Sequence, residues 1–373
     1  MRKTYSILAI GVILAIALAA CGTAAPAPDS APEPVVETVV VEVTSSAPVV
    51  VAPTGYGVTL AAVQERGTLI CGVNSQVPGF GYVDADGNYA GIDVDYCRAL
   101  AAAIFGDETK VEFRPVTAAE RFTALQSGEI DILSRNTTWS LVRDTELAGN
   151  FVHTTFYDGQ GMMVPADSGL AALEDLAGGT ICVQTGTTTE LNLADVMASL
   201  GVSYTPAVFE DADATFAAYS EGRCDAVTTD KSGLVARRAI LSDPSAHTIL
   251  DVTMSKEPLG PMVRHGDDQW FDIAQWTVFT LFAGEEFDVT SGNVDDVRAS
   301  ATAPEVRRLL GLEGDLGLKL GLTNDFAYNI LKLVGNYEEI YNRNLGPDTP
   351  TYIPRGLNSL YTDGGLLYAP PFR

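Results

Sequence analysis

The chain has 373 residues, enough for two lobes of ordinary size that each bury a core. Hydrophobic residues make up 46% of it and the formal net charge is −25, a composition typical of a folded, acidic globular protein. Because such a surface repels phosphate backbones and no basic stripe offsets it, nucleic acid is excluded as a partner.

The N-terminus has the features of an export signal. Two basic residues precede an apolar segment, 7–20, that is too short to cross a membrane comfortably. Cys21 follows small residues, as in the cleavage site of a bacterial lipoprotein, so we predict a signal peptide over 1–21 with lipid attached to Cys21. An ordinary signal peptide with an incidental cysteine is the alternative. Residues 22–57, rich in Ala, Pro, Val and Glu, are expected to form a disordered tether.

Four further cysteines predict two disulfides, because an even count is typical of an exported chain. Three pairings are open. We favour Cys71–Cys97, in a predicted strand and the helix after it, and Cys182–Cys224, in two strands of a separate α/β unit. A zinc site is the weaker alternative, since no C-x-x-C spacing occurs.

The folded part opens with a strand–helix–strand–helix–strand series, which predicts a parallel sheet with right-handed crossovers. Ligands of such sheets lie beyond the carboxyl ends of the strands, where the loops 74–80 and 134–139 emerge. The predicted elements are a helix at 59–66, strand 69–73, a helix capped by Asp93 and ended by Gly106, strand 110–114, a helix begun by a capping box at Thr117 and Glu120, and strand 130–133.

A second series of the same kind follows and then returns to the first. We therefore predict an α/β protein in which 58–159 and 260–373 form lobe 1 and 160–259 form lobe 2. The predicted elements are strands at 161–164, 180–184, 204–209 and 224–228, helices beginning near Thr187, 211 and 234, strands near 247–252 and 261–264, and a long helix from Asp268 to about Gly284.

The segment 134–144 has the composition of a carboxylate site. Asn136 and Thr138 supply short polar side chains, and Ser140 is a candidate N-cap for a helix with Arg143 in its first turn. A cation there opposes the helix dipole, which is favourable if an anion binds between the helix start and the guanidinium. A solvated arginine in a surface turn is the alternative.

Two residues of the second series extend this site. Thr188 begins a helix whose free N–H groups can bind a small anion, although simple capping is the alternative. Asp230 lies beyond a strand end and can hold an ammonium group, although an Asp N-cap there would be unremarkable. Arg143, Thr138 and Thr188 would then hold a carboxylate while Asp230 holds an ammonium, so that two lobes close on one zwitterion.

The sequence offers little for catalysis. The three histidines are scattered without metal spacing, and no hydrolase, P-loop or dinucleotide motif occurs. We therefore predict a protein that is not an enzyme and that needs no cofactor and no metal.

Four stretches resemble the general (polar) L-amino-acid solute-binding proteins of ABC importers, with a similarity that runs from about residue 58 to 373. They are S-R-N-T-T-W-S-L-V-R-D, V-Q-T-G-T-T-T-E-L-N-L-A-D, G-R-C-D-A-V-T-T-D-K-S-G-L and Y-A-P-P-F-R. The resemblance implies a type II periplasmic-binding-protein fold, in which two α/β lobes with central mixed sheets are joined by a two-strand hinge. It also implies an extracytoplasmic monomer that captures free L-amino acids and delivers them to an ABC permease.

The resemblance implies roles for individual positions as well. The positions matching Arg143, Thr138 and Thr188 take the ligand carboxylate in relatives, the one matching Asp230 takes the ammonium, and the Asn136 position lines the pocket. Some relatives stack an aromatic where this chain has Val77, so a less selective side-chain pocket, bounded by Val77 and Phe80, is expected. Cys21 and the tether imply anchoring to the outer face of the membrane. A dehydratase or lyase on the same fold, or a sensory lipoprotein, are the alternative functions.

Overall fold

The computed structural model describes residues 57–373, so the predicted signal peptide, Cys21 and nearly all of the tether lie outside the described residues. Within that range no helix has both the length and the hydrophobicity that a membrane crossing requires. The strands are β1 Leu69–Val73, β2 Gln76–Val77, β3 Gly81–Val83, β4 Tyr89–Ala90, β5 Val111–Pro115, β6 Ile132–Leu133, β7 Gly149–Phe151, β8 Phe156–Asp158, β9 Gln160–Pro165, β10 Thr180–Gln184, β11 Thr205–Phe209, β12 Ala226–Asp230, β13 His247–Ile249, β14 Glu257–Leu259 and β15 Met262–Arg264. The helices are α1 Val58–Arg66, α2 Ile92–Phe105, α3 Arg121–Ser127, α4 Leu141–Glu146, α5 Thr188–Leu200, α6 Ala212–Ser220, α7 Lys231–Ala239, α8 Asp268–Glu286, α9 Val294–Ser300, α10 Pro304–Leu309, α11 Leu316–Lys319, α12 Phe326–Leu333 and α13 Tyr337–Leu345.

The first sheet has the order β5-β1-β6-β15-β7 and forms the centre of lobe 1. β1 is parallel to β5 and β6, whereas β15 runs antiparallel to β6 and β7. The sheet is therefore mixed, because β15 comes from the part of the chain that returns after lobe 2. Helices α2, α8, α12 and α13 contribute to one continuous apolar core with this sheet, which buries Leu100, Phe282 and Ile330 completely.

The second sheet, of order β11-β10-β12-β9-β13, forms the centre of lobe 2. Its first three strands are parallel and β9 runs antiparallel to β12. Neighbouring residues of β9 point to opposite faces: Met162 belongs to one apolar cluster and Met163 to another. Both faces of β9 are therefore covered by apolar side chains, whereas the edge strand β11 is largely exposed.

Strands β8 and β14 form a separate antiparallel pair that connects the lobes, with Asp158 opposite Glu257. β8 is followed directly by β9 of lobe 2, and β14 is followed by β15 of lobe 1. The prediction of two α/β lobes with mixed sheets and a two-strand hinge, the type II periplasmic-binding-protein fold, is thus confirmed.

Both favoured disulfides are present, Cys71–Cys97 and Cys182–Cys224. The first joins β1 to α2 in lobe 1, and the second joins β10 to the loop between α6 and β12 in lobe 2. Each bond therefore lies within one lobe and leaves the hinge free to bend.

Asp93 does not cap α2, contrary to the prediction. The helix begins at Ile92 after Gly91, whose φ of 127° favours glycine, and Asp93 accepts the main-chain N–H of Asn136 at 2.6 Å instead. Burial raises the pKa of Asp93 to about 6. The bond holds Asn136 at a φ of 26° and so shapes the loop that carries the predicted carboxylate site.

Candidate functional site

The fold brings the predicted site residues of both lobes to one place between the sheets. Thr138 follows β6 of lobe 1, Thr188 begins α5 of lobe 2, and their hydroxyl oxygens lie 3.3 Å apart. Asp230 ends β12, next to β10 in the same sheet. The carboxyl ends of parallel strands therefore face each other across the hinge, as the sequence predicted.

Arg143 lies in the first turn of α4, whose N-cap is Ser140 as predicted. The arginine is only 7% exposed. One guanidinium nitrogen, Nη1, donates to the main-chain oxygen of Thr138 at 3.0 Å, and the guanidinium lies over the ring of Phe122 at 5.2 Å. Burial lowers its pKa, whereas the nearby carboxylates of Glu257 and Asp230 oppose that shift. The surface-turn alternative is excluded by this burial.

Asp230 occupies the N-cap position of α7 but makes no side-chain capping bond. It is 6% exposed, and no hydrogen bond to its carboxylate is formed by any residue of the described range 57–373. Burial first, and then the charges of Asp158 and Glu257, raise its pKa well above the ordinary value. A capping role therefore does not explain this buried carboxylate.

Gln160 lies beside Asp230, and the sequence analysis did not identify it as a site residue. It lies directly opposite Asp230 in the antiparallel β9–β12 pair, so both side chains project from one face of the sheet. Its amide nitrogen donates to the main-chain oxygen of Thr189 and to the hydroxyl of Thr228, both at 2.9 Å. Its amide oxygen is completely buried and has no partner among the described residues. Asp230 and Gln160 thus present two acceptors to one group.

Glu257 of the hinge was also missed, and it binds both threonines of the site. Its carboxylate accepts from the hydroxyls of Thr138 and Thr188, from the amide of Asn192 at 2.7 Å and from the hydroxyl of Ser255. The anion at the start of α5 is therefore a carboxylate of this chain. Because a hydroxyl has a single proton, neither threonine hydroxyl can donate to a second carboxylate while it donates to Glu257.

The main-chain N–H groups of the two threonines are free for such an interaction. Thr188 is the first residue of α5, where an N–H has no acceptor within the helix. Thr138 lies outside the named strands, and its N–H makes no hydrogen bond within the described part of the chain. Both N–H groups therefore lie next to the contact between the hydroxyl oxygens of Thr138 and Thr188.

Arg121 of α3 adds a second buried guanidinium that the sequence analysis did not identify. It is 2% exposed and makes long bonds to the hydroxyl of Thr137 and to the main-chain oxygen of Gly186, at 3.3 and 3.4 Å. Its Nε has no partner in the range 57–373. Burial and the neighbouring charge of Arg143 lower its pKa. This end of the site is therefore positive, while the Asp230 end is negative.

The structure places the two residues of the predicted side-chain pocket, Val77 and Phe80, differently. Val77 and Asn136 line a cavity of about 30 Å³ between the lobes. Phe80 does not line this cavity: it is 1% exposed and packs edge-on against Phe156 of the hinge at 5.0 Å.

The two lobes, the hinge and a site with opposite charges at its two ends define a periplasmic-binding-protein class of solute receptor. The family of bacterial extracellular solute-binding proteins, family 3, matches residues 69–292. Because the match covers more than half of the chain, this protein belongs to that family.

Individual relatives are similar over most of their length. The general L-amino acid-binding periplasmic protein AapJ of Rhizobium johnstonii is 54% identical over 317 residues, 84% of this chain and 93% of the relative. The glutamate/glutamine/aspartate/asparagine-binding protein BztA of Rhodobacter capsulatus is 51% identical, over 84% and 93%. A solved ABC transporter periplasmic binding protein from Brucella ovis, with glutathione bound, is 48% identical with a TM-score of 0.82, over 84% of this chain and 99% of that one.

Proposed function

We propose that this protein captures a free L-amino acid between its lobes and delivers it to the permease of an ABC transporter. One observation carries the proposal: Arg143 and Asp230 are both more than nine-tenths buried at the same site, yet no ion pair joins them in the described structure. A buried charge without a partner costs several kcal/mol. A zwitterion that lies between the two supplies the missing opposite charge to each.

The contacts around the site support one orientation of the ligand. Its α-carboxylate takes the Arg143 guanidinium and the main-chain N–H groups of Thr138 and Thr188. Its α-ammonium takes the carboxylate of Asp230 and the amide oxygen of Gln160. With these two groups held, the side chain on the ligand α-carbon points into the cavity that Val77 and Asn136 line.

Binding of a panel of L-amino acids, measured by calorimetry, tests this function. Micromolar affinity for at least one of them, about −8 kcal/mol, is the expected result. The names of the similar proteins AapJ and BztA support the choice of an amino-acid panel. Heat from none of the amino acids would rule the proposal out.

We also propose that the mature protein is a monomer, held at the outer face of the membrane by lipid on Cys21. Residues 22–57 form the tether between the lipid and the folded part. The chain passes from lobe 1 to lobe 2 at residue 160 and returns to lobe 1 at residue 260. The support for the anchor is the sequence of the export signal. Fractionation of cells that produce the native protein or Cys21→Ser tests it: the native protein should stay with membranes and the variant should be soluble. Equal distribution of the two would contradict the anchor.

A further inference from the structure

Gln76 of lobe 1 makes three hydrogen bonds with lobe 2, and we call this set of bonds the Gln76 contact. Its side-chain oxygen, Oε1, accepts from the main-chain N–H groups of Ala212 and Asp213 at 3.1 and 3.4 Å. Its main-chain oxygen accepts from Nη1 of Arg237 at 2.8 Å. Because β2 belongs to lobe 1 whereas α6 and α7 belong to lobe 2, all three bonds join the lobes.

The side chain of Gln76 completes the first turn of α6. The first N–H groups of a helix have no acceptor within the helix itself. The N-cap residue Asp211 accepts the N–H of Ala214 with its side chain, at 2.8 Å. The N–H groups of the two residues between them, Ala212 and Asp213, have their acceptor in lobe 1 instead. These groups would lose that acceptor if the lobes separated.

Arg237 supplies the third bond from a fixed position in lobe 2. It is 7% exposed, and its guanidinium lies over the ring of Phe216 at 5.0 Å. Its Nη1 also donates to the carboxylate of Asp213, at 2.6 Å. The guanidinium is therefore held by neighbours within lobe 2 and offers a charged donor to lobe 1. A hydrogen bond from a charged donor is stronger than one between two neutral groups.

On the side of lobe 1, the contact is connected to the loop that carries the proposed ligand site. The side-chain oxygen of Asn74 accepts the main-chain N–H of Gln76 at 3.1 Å. The amide nitrogen of Asn74 donates to the side-chain oxygen of Asn136 at 3.0 Å. Asn136 is followed closely by Thr138, so Gln76 is held in place by the same loop that reaches the ligand carboxylate.

The Gln76 contact lies between the small cavity of the ligand side chain and a wider groove. Arg237 lines both the cavity of about 30 Å³ and the groove, whose volume is about 570 Å³. Gln76 and Asp213 line the groove as well. None of the residues of the contact belongs to the hinge strands β8 and β14. The lobes are therefore joined here at a place separate from the hinge carboxylate Glu257.

We propose that Gln76 is a positioning residue that holds the two lobes together independently of the ligand. The effect on amino-acid affinity rests on the proposed function, but the three bonds themselves involve no ligand atom. They stabilise the closed arrangement over an open one by the same amount whichever ligand is bound. Loss of the contact should therefore weaken every ligand by one common factor and should separate the lobes of the ligand-free protein.

Small-angle X-ray scattering of ligand-free proteins tests the separation of the lobes directly, because the tether is common to all of them. Gln76→Ala removes the side-chain acceptor and should increase the radius of gyration above that of the native protein. Gln76→Glu keeps an acceptor oxygen at the same position and should scatter like the native protein. Gln126→Ala is the matched control, because Gln126 is exposed and donates to the main-chain oxygen of Leu147 within lobe 1. It should also scatter like the native protein.

Calorimetry with L-glutamine and L-alanine measures the effect on binding. Gln76→Ala should weaken both amino acids by the same factor, about tenfold for the loss of two hydrogen bonds. Gln76→Glu and Gln126→Ala should retain the native affinities. Unequal factors for the two amino acids would overturn the proposal, because Gln76 would then act on the ligand itself. Heat from no amino acid would overturn the proposed function alone, since the scattering experiment needs no ligand.

A second variant keeps the test informative if Gln76→Ala folds poorly. Arg237→Met removes the third bond, keeps an apolar stem over the ring of Phe216, and should also increase the radius of gyration. Unchanged scattering in Gln76→Ala, or in Arg237→Met where only that variant folds, would overturn the proposal. The contact would then complete the first turn of α6 without holding the lobes together.

Discussion

The hydroxyl oxygens of Thr138 and Thr188 lie 3.3 Å apart, although Thr138 belongs to lobe 1 and Thr188 begins a helix of lobe 2. Both donate to Glu257 of the hinge. The hinge carboxylate therefore connects the two lobes beside the position where the ligand carboxylate is proposed to bind. A movement that separated the two lobes here would therefore also separate the two threonines that are proposed to bind the ligand carboxylate.

Asp230→Asn should remove amino-acid binding and leave the fold intact. The substitution keeps the shape of the side chain but takes away the charge that pairs with the ammonium, so affinity should fall at least 100-fold, about 2.8 kcal/mol. The free energy of unfolding should not decrease, because the carboxylate accepts no hydrogen bond within the described range. Calorimetry and urea unfolding measure the two quantities.

Asp243→Asn is the matched control for this variant. Asp243 is an exposed N-cap outside the site, and asparagine caps a helix as well as aspartate does. It should bind like the native protein. Native affinity in Asp230→Asn would show that the ammonium binds elsewhere.

Glu257→Gln should destabilise the protein and weaken every amino-acid ligand by a similar factor. The amide can accept at one oxygen only, so at least one of the four donors now bound to Glu257 loses its acceptor. Hydrogen bonds to a charged group contribute about 1.5–3 kcal/mol each, and the free energy of unfolding should fall by about that amount. Glu210→Gln, at an exposed position, should have no effect. Unchanged stability in Glu257→Gln would refute the connecting role.

Affinity should weaken as the pH falls toward the pKa of Asp230, which lies well above its ordinary value. Burial and the charge of Asp158 raise the pKa of Asp230, so the carboxylate of the ligand-free protein takes up a proton at a higher pH than an exposed one would. Protonation removes the charge that holds the ammonium, while the ligand ammonium stays charged. Binding must therefore release a proton at any pH where the carboxylate of the ligand-free protein is protonated. Calorimetry in two buffers of different ionisation enthalpy measures that release; no proton release and a constant affinity would contradict the assignment.

Loss of either disulfide should lower stability by several kcal/mol without changing the ligand orientation. The bonds close loops of 26 and 42 residues, for which chain entropy alone predicts about 3.5 and about 4 kcal/mol. Paired substitutions of the cysteines by alanine, compared by urea unfolding, test this. Equal stability of the native and double-variant proteins would show that the unfolded chain is not restricted by these bonds.

The helices, the strands and the charged residues Arg143 and Asp230 could be predicted from the sequence because short stretches of neighbouring residues indicate them. Ser140 marks the start of α4, and the apolar run at the centre of β10 identifies a buried strand. The start of α2 was misplaced because an Asp beside a helix start is a common cap. Here its carboxylate is used by Asn136, 43 positions away.

The missed residues have no comparable local signal. Thr138 and Glu257 are 119 positions apart, and only the hinge pairing brings them together. Gln160 becomes informative only through its register with Asp230, and Arg121 only through its own burial at the start of α3. Long-range pairing, not residue type, assigns these side chains to the site.

A crystal structure of the protein with bound L-glutamine tests the central claim most directly. The account predicts the α-ammonium within hydrogen-bonding distance of the Asp230 carboxylate and the α-carboxylate paired with the Arg143 guanidinium, in one ligand between the lobes. A ligand whose ammonium lies on Glu257 or Asp158, or whose carboxylate does not reach Arg143, would contradict it.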